Sequence, residues 1–327
     1  MSATLSSERM QVYVTRRVPE RVRAELAASF ELRYHDSEEP PSRAALLDGV
    51  RGMDGVVTML TDRVDDELLD AAGPSLRVVA NYAVGYDNVD VEACARRGIV
   101  VANTPDVLTK ATAELTIALV LALLRRVAEG DRFLRRREPW IWAPTFMLGT
   151  GLEGKRLGLV GLGRIGLEVA RLGAALGMRV AYTSRRPRSD LPYEALPLSD
   201  LLARADVVSI HTPLTAETHH LIGRRELALM RPSAVLVNTA RGPVVDEEAL
   251  ADALAAGTIA GAALDVFERE PEVCDRLLAL ENVVLCPHLG SATLETREAM
   301  GLLCVSALRA VLLEGREPAN AVTPRKS

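Results

Sequence analysis

Three glycines set the first chemistry. The run Gly161-Leu162-Gly163-Arg164-Ile165-Gly166 follows the apolar stretch Arg156–Val160 and leads into a helical pattern over Leu167–Leu176. Glycine at these spacings serves three ends. The first permits a tight turn, the second lets backbone approach a pyrophosphate, and the third lets helix pack close to strand. The helix N-terminus then offers unpaired N–H groups and partial positive charge to the phosphates. A bare G-x-G-x-x-G is often only a glycine-rich turn. With a strand before it and a helix after it, the pattern reads as a dinucleotide site. About 20 positions beyond such glycines, an acidic residue would grip the ribose 2′-hydroxyl of NAD. This chain instead reads Thr183-Ser184-Arg185-Arg186-Pro187-Arg188. The hydroxyl of Ser184 and the adjacent guanidinium groups of Arg185 and Arg186 suit a 2′-phosphate, through charge-assisted and bidentate bonds. NADP(H) is the preferred cofactor on this reading, and NAD(H) the second choice.

Three charged residues stand in distinctive contexts further on, after the fifth and sixth strands of such a domain. Arg241 follows Val237-Asn238-Thr239-Ala240, and Glu270 lies in Asp265-Val266-Phe267-Glu268-Arg269-Glu270-Pro271. His288 lies in Pro287-His288-Leu289-Gly290-Ser291. Singly, each has an ordinary structural explanation: an ion pair, a Glu-Pro turn, a core histidine. Two further motifs accompany them, running from Asn81 to Asp90 (NYAVGYDNVD) and from Asn103 to Thr109 (NTPDVLT). With the glycine turn, these make the chain closely similar, over nearly its whole length, to the D-isomer-specific 2-hydroxyacid dehydrogenases. Within that family it most resembles the glyoxylate/hydroxypyruvate reductases.

The resemblance implies roles that make physical sense. Arg241 would clamp the substrate carboxylate, its planar fork orienting the neighbouring carbonyl. His288 would give a proton to the carbonyl oxygen as hydride arrives, and take it back in reverse. Glu270 would hydrogen-bond the imidazole and favour its charged form. On composition Glu268 competes with Glu270, and only the family pattern of Glu before Pro selects Glu270. Backbone groups at Val84 and Gly85 resemble the family's second clamp on the carboxylate. Thr109, Thr212, Pro213, Thr239, Ala240 and Asp265 enter as cofactor contacts beside the glycine turn. The site would then lie between two domains, at the carboxyl ends of strands. His211 is expected at a strand end near the cofactor. His219 and His220, being adjacent, lack the i, i+4 spacing of a metal pair and read as surface or packing residues; no metal is expected.

The elements that must hold these residues follow from an alternation of apolar runs with helical patterns, which reads as α/β with parallel sheets. Candidate strands are Gln11–Thr15, Glu31–His35, Gly55–Met59, Arg77–Asn81 and Ile99–Ala102, then Arg156–Val160, Arg179–Thr183, Val207–Ile210, Ala234–Val237, Ile259–Ala263 and Val283–Leu285. Helical segments include Pro19–Ala28, Arg43–Val50, Asp65–Ala72 and Val91–Arg97, with two long Ala/Leu-rich candidates at Val107–Glu129 and Thr293–Leu313. At 327 residues, two doubly wound domains are expected. A flavodoxin-like substrate domain would take residues 1–104 and 292–327, and a Rossmann cofactor domain 105–291, the two linked by the long helices.

Hydrophobic residues are 48% and charged residues 25% of the chain, the balance of a globular protein, and the net charge of −5 favours neither nucleic acid nor an anionic membrane. The arginine run Arg125, Arg126, Arg132, Arg135, Arg136, Arg137 reads as a solvated helix end. Met1–Met10 carries no apolar signal core, and Leu115–Leu124 is only about half the length needed to span a bilayer. Cys94, Cys274, Cys286 and Cys304 form no C-x-x-C pair, which fits a reducing cytoplasm.

An irregular stretch, Glu138–Gly154, carries both tryptophans. The resemblance places Trp140 or Trp142 near an active site, in some members the neighbouring subunit's. Dimer packing is the other reading of these residues, and either implies a homodimer. The leading expectation is NADPH-dependent reduction of glyoxylate or hydroxypyruvate to the D-hydroxy acid. The alternatives are another 2-ketoacid, phosphite or formate dehydrogenase of the same fold, or a dinucleotide-sensing, corepressor-like binding protein.

Overall fold

The short apolar runs form strands that are buried on both faces: every residue of Gly55–Thr58 and of Val78–Asn81 is inaccessible to solvent or nearly so. Such runs suit a parallel sheet covered by helices on each side. The computed structural model describes residues 9–323, so most of the polar N-terminal stretch and the last four residues lie outside it. The chain divides into two compact units, changing from one to the other at Leu108–Thr109 and again at Ala292–Thr293.

The first unit contains β1 (Gln11–Val14), α1 (Glu20–Ser29), β2 (Glu31–Tyr34), α2 (Arg43–Gly49), β3 (Gly55–Thr58), α3 (Asp66–Ala72), β4 (Val78–Asn81), α4 (Val91–Arg97) and β5 (Val100–Ala102). Its strands run parallel in the order β2-β1-β3-β4-β5, the flavodoxin-like winding. Side-chain oxygens of Ser42, Asp65 and Asp90 accept from backbone amides in the first turns of α2, α3 and α4, satisfying donors that a helix start leaves unpaired.

The second unit contains α5 (Thr109–Leu124), α6 (Val127–Arg135), β6 (Arg156–Val160), α7 (Arg164–Ala175), β7 (Arg179–Thr183), β8 (Glu194–Ala195), α8 (Leu198–Arg204), β9 (Val207–Ile210), α9 (Arg224–Leu229), β10 (Val235–Asn238), α10 (Glu247–Ala255), β11 (Gly261–Leu264), α11 (Asp275–Leu278) and β12 (Val283–Leu285). The seven strands are parallel in the order β12-β11-β10-β9-β6-β7-β8. Strand order therefore reverses between β6 and β9, and ligands of doubly wound sheets bind at that crevice. The glycine turn leaves the carboxyl end of β6, at this point. Finally α12 (Leu294–Leu312) packs on α1 and β4 of the first unit.

Two features depart from the sequence expectation. The helix expected over Val107–Glu129 is two helices, α5 and α6, separated at Arg126, which takes a left-handed φ of 56°. The cause is tertiary. The Leu124 carbonyl accepts from the Thr150 amide at 2.8 Å, where the loop returns over the helix end. The two-residue strand β8 at the sheet edge was also not expected. The arginine run begins just before α6 and ends just after it, and four of its members pair with nearby acids: Arg126 with Glu129, Arg135 with Asp131, and Arg132 and Arg136 with Glu281.

Candidate active site

Each glycine of the turn is required for a different reason. Gly161 has φ +97°, and a Cβ there would lie 2.6 Å from the His211 carbonyl oxygen. A Cβ on Gly166 would meet the Gly161 carbonyl at 2.5 Å, so this glycine lets α7 close onto the turn. Gly163 is different: a Cβ would meet no protein atom within 4 Å. The fold does not need that glycine, whereas a phosphate approaching the backbone would. Gly163 is also the N-cap of α7 and provides no side-chain cap, so the first turn of α7 presents backbone amides, those of Ile165 and Gly166 among them, where an anion would bind. Leu162 points the other way, into the core. The residues present therefore fit a dinucleotide pyrophosphate.

The end of β7 is tied to this turn, since the Gly161 amide donates to the Thr183 carbonyl at 2.9 Å. Ser184, Arg185 and Arg186 follow at once. Ser184 Oγ donates to the Arg186 carbonyl at 2.8 Å, and Tyr182 Oη binds the Arg188 backbone, folding the segment into a turn. Arg188 is paired with Asp190 at 2.7 Å. Arg185 and Arg186 are exposed and form no salt bridge among the described residues. Glu217 has its carboxyl held below its usual range by the Thr215 hydrogen bond first and by the charge of Arg185 more weakly.

His211 sits beneath the turn. Its Nε2 lies 2.8 Å from Ser209 Oγ, and although part of the residue reaches solvent, burial of the ring pushes its pKa down to about 3. Thr212 and Pro213 continue from it, with the Thr212 amide 3.1 Å from where a Gly161 Cβ would stand. Thr239 is buried and shares a 2.8 Å hydrogen bond with Thr116 of α5. Thr109 is the first residue of α5, and Ala240 is half-buried beyond β10.

Arg241, Glu270 and His288 follow β10, β11 and β12 in turn, so they come from three successive strands and not from two. Those strands are neighbours in the sheet, and their loops are in contact. The Asn238 side chain brackets the Arg241 loop, donating to the Arg241 carbonyl at 2.9 Å and accepting from the Ala240 amide at 3.0 Å. Gly242 then presses on the next loop: a Cβ there would lie 1.9 Å from the Phe267 carbonyl group. Glu270 Oε1 accepts from the Phe267 amide at 3.1 Å, and its Oε2 lies 2.8 Å from His288 Nδ1. A carboxylate can only accept here, so Nδ1 carries the hydrogen and Nε2 is left for another partner. Burial alone would raise the Glu270 pKa. The hydrogen bond and charge of His288, the Phe267 amide and the field of Arg241 outweigh it and hold the carboxyl below its usual value.

The geometry settles which acid meets His288. Glu268, two residues away, pairs with His220 instead, and the His220 ring lies against that of His219, centroids 4.1 Å apart and tilted by 30°. No group of three or more His, Cys, Asp or Glu among the described residues has the arrangement of a metal site.

Asp265 does more than its motif suggested. It is 1% exposed, and its two oxygens accept from the Leu289 and Gly290 amides at 2.6 and 2.8 Å. Its carbonyl accepts from the His288 amide at 2.8 Å. His288 has φ 55°, a conformation costing about 1–3 kcal/mol in a residue of this kind, and Asp265 supplies the bonds that hold it. Burial raises the Asp265 pKa, with the two amides acting in opposition. Sequence reading missed this role, as it missed Gly242, although a glycine directly after Arg241 was a visible signal. Val84 and Gly85 are half-buried in the turn after β4, in the first unit.

A Rossmann sheet with a glycine turn at its switch point, and an arginine and a Glu–His pair on adjoining strand ends, defines a nicotinamide-dinucleotide-dependent oxidoreductase. Residues 117–290 match the family model described as D-isomer specific 2-hydroxyacid dehydrogenase, NAD binding domain. The chain is 47% identical over 321 residues to the glyoxylate reductase of Thermococcus litoralis, covering 95% of this chain and 96% of that one. A solved structure of TT0316 protein from Thermus thermophilus is 48% identical, with a TM-score of 0.90 over 96% of this chain and 100% of that one. The NADPH-dependent glyoxylate/hydroxypyruvate reductase of Sinorhizobium meliloti, solved with NADP and malonate, is 38% identical with a TM-score of 0.84, covering 98% of this chain and 99% of the other. The protein belongs to the D-isomer-specific 2-hydroxyacid dehydrogenase family.

Proposed function

We propose that this enzyme reduces glyoxylate or hydroxypyruvate with NADPH, giving the D-2-hydroxy acid (achiral glycolate from glyoxylate). The observation that carries the reading is the 2.8 Å His288 Nδ1–Glu270 Oε2 bond, formed beside the loop that carries Arg241. Arg241 binds the substrate carboxylate, and Val84 and Gly85 give it a second hold through backbone amides. His288, loaded through Nε2, passes a proton to the carbonyl oxygen, and Glu270 stabilises the charged ring and keeps its orientation. Reduced nicotinamide, when bound, supplies the hydride. The cofactor is held by Gly161–Gly166, with Thr109, Thr212, Pro213, Thr239 and Ala240 around it, while Asp265 orders the histidine loop. On this assignment the unit Thr109–Ala292 is the cofactor domain and the other unit the substrate domain.

Arg185 and Arg186, which form no salt bridge among the described residues, support a 2′-phosphate and so NADPH over NADH. The names of the Thermococcus and Sinorhizobium relatives support the substrate class. Four free cysteines suit a reducing compartment such as the cytoplasm.

The test is NADPH and NADH oxidation against glyoxylate, hydroxypyruvate, pyruvate and bulkier keto acids. The expected result is a higher kcat/KM with NADPH than with NADH, and with glyoxylate and hydroxypyruvate than with the other acids. In His288→Asn, kcat should fall by about 10²–10⁴ with cofactor affinity kept. No turnover of any keto acid would overturn the enzyme reading, and a better kcat/KM with NADH would overturn the cofactor assignment.

A further inference from the structure

Three consecutive carbonyls after β4 are each captured from within the first unit. The Ala83 carbonyl accepts from the Thr104 amide at 2.9 Å. The Val84 carbonyl accepts from Asn103 Nδ2 at 2.8 Å, and the Gly85 carbonyl from Asn81 Nδ2 at 2.9 Å. All three donor residues are buried. A trans peptide is planar, with its N–H directed opposite to its C=O. Drawing these carbonyls inward therefore turns the amides of Val84, Gly85 and Tyr86 the other way. None of those three amides donates a hydrogen bond to another described residue. Successive N–H groups turned to one side form a concave anion-binding edge.

The two asparagines are themselves fixed. Asn81 Oδ1 accepts from Thr58 Oγ1 and from Asn88 Nδ2, both at 3.1 Å, so the amide cannot flip without setting donor against donor. Asn88 in turn donates to the Met59 and Asp62 carbonyls at 3.0 and 2.9 Å. Asn103 is gripped through its backbone by Asn320: its carbonyl accepts from Asn320 Nδ2 at 2.6 Å, and its amide donates to the Asn320 carbonyl at 3.2 Å.

We propose that Asn81 and Asn103 are positioning residues for binding of the substrate carboxylate: they hold the Gly85 and Val84 carbonyls back, so that consecutive backbone amides face the anion. This rests on the reading above that Val84 and Gly85 hold that carboxylate. A purely structural role would lower stability and leave the affinity for keto acid alone. A positioning role raises KM while kcat and cofactor affinity stay.

Asn103→Ala and Asn103→Asp carry the test, because the wholly buried Asn81 also braces β3 against the turn. The aspartate keeps the size, removes the donor and sets an acceptor against the Val84 carbonyl. For both variants, KM for glyoxylate should rise about tenfold, or about 1.4 kcal/mol, with NADPH affinity by fluorescence titration unchanged. Asn320→Ala should show the same change more weakly. Gly85→Pro deletes one amide donor directly and separates the two claims. If Gly85→Pro raises KM but folded Asn103→Ala and Asn103→Asp keep the wild-type KM, the positioning inference is overturned while the carboxylate reading survives. If Gly85→Pro itself keeps the wild-type KM, the carboxylate reading falls and takes the inference with it.

Discussion

His288 and His211 occupy comparable places after parallel strands, yet their surroundings differ. His288 has a carboxylate at 2.8 Å on Nδ1, which fixes the orientation of its ring. His211 has its ring hydrogen-bonded to the Ser209 hydroxyl, and burial lowers its pKa to about 3. That difference has a consequence for stability with a definite sign. A histidine whose folded pKa lies below its unfolded value of about 6.5 takes up a proton only on unfolding between the two values. Stability is then complete above pH 6.5 and declines as the pH falls toward 3. Between pH 7 and pH 5 this one residue should cost about 2 kcal/mol, and His211→Gln should remove that part of the acid sensitivity. Urea midpoints for the two proteins at both pH values check it; equal losses in the two would show that His211 is not held neutral. At this scale the sequence was informative where a residue type sits in a fixed local pattern. The glycine spacing and the Glu270-Pro271 and Pro287-His288 pairs are of that kind. Roles that depend on a distant partner were not visible. Asp265 works through amides 24 and 25 positions away, and nothing in its neighbours announces that.

Between elements, the active loops are coupled because they leave adjacent strands and touch. Gly242 is the contact. It is buried where the Arg241 loop crosses the Phe267 carbonyl, and a methyl group would have to occupy space 1.9 Å from that carbonyl's atoms. Backbone cannot give way as a flexible side chain can. Gly242→Ala should therefore push apart the loops that carry Arg241 and Glu270. The expected outcome is a fall in kcat/KM for glyoxylate of at least about tenfold, with NADPH binding at the separate glycine turn kept within about twofold. Steady-state kinetics and a cofactor titration read the two effects apart, and an unaltered kcat/KM would contradict the coupling. The strands themselves were easy to read, since β-branched runs covered on both faces leave little choice of element. The break between α5 and α6 was not. Residues 107–129 hold neither proline nor glycine, and the helix ends at Leu124 because the Thr150 amide, far along the chain, takes the Leu124 carbonyl.

For the whole molecule, the outer surface of α6 and the loop after it carry a cost that a single chain does not relieve. Val127, Leu134, Trp140, Ile141, Trp142 and Leu148 are all exposed, Ile141 at 80% and Trp142 at 78%. Apolar side chains gathered on one segment mark an association surface more often than a free one. The two tryptophans differ within it. Trp140 stacks on Phe146 with ring centroids 6.3 Å apart, and Phe146 packs edge-on to Phe133, so Trp140 builds the segment. Trp142 makes no aromatic contact among the described residues and is the side chain available to a second copy. We therefore expect a homodimer in which this segment is shared. Light scattering should give about twice the 35.3 kDa of one chain, and Ile141→Asp with Trp142→Ser should shift the mass toward one chain while leaving far-UV circular dichroism intact. A wild-type protein that stays monomeric at micromolar concentration would refute the dimer. Trp142→Ala alone separates packing from a place at the neighbour's substrate. If it remains dimeric and gains activity on bulkier keto acids, Trp142 limits substrate size; if it remains dimeric with unchanged substrate preference, its contribution is packing.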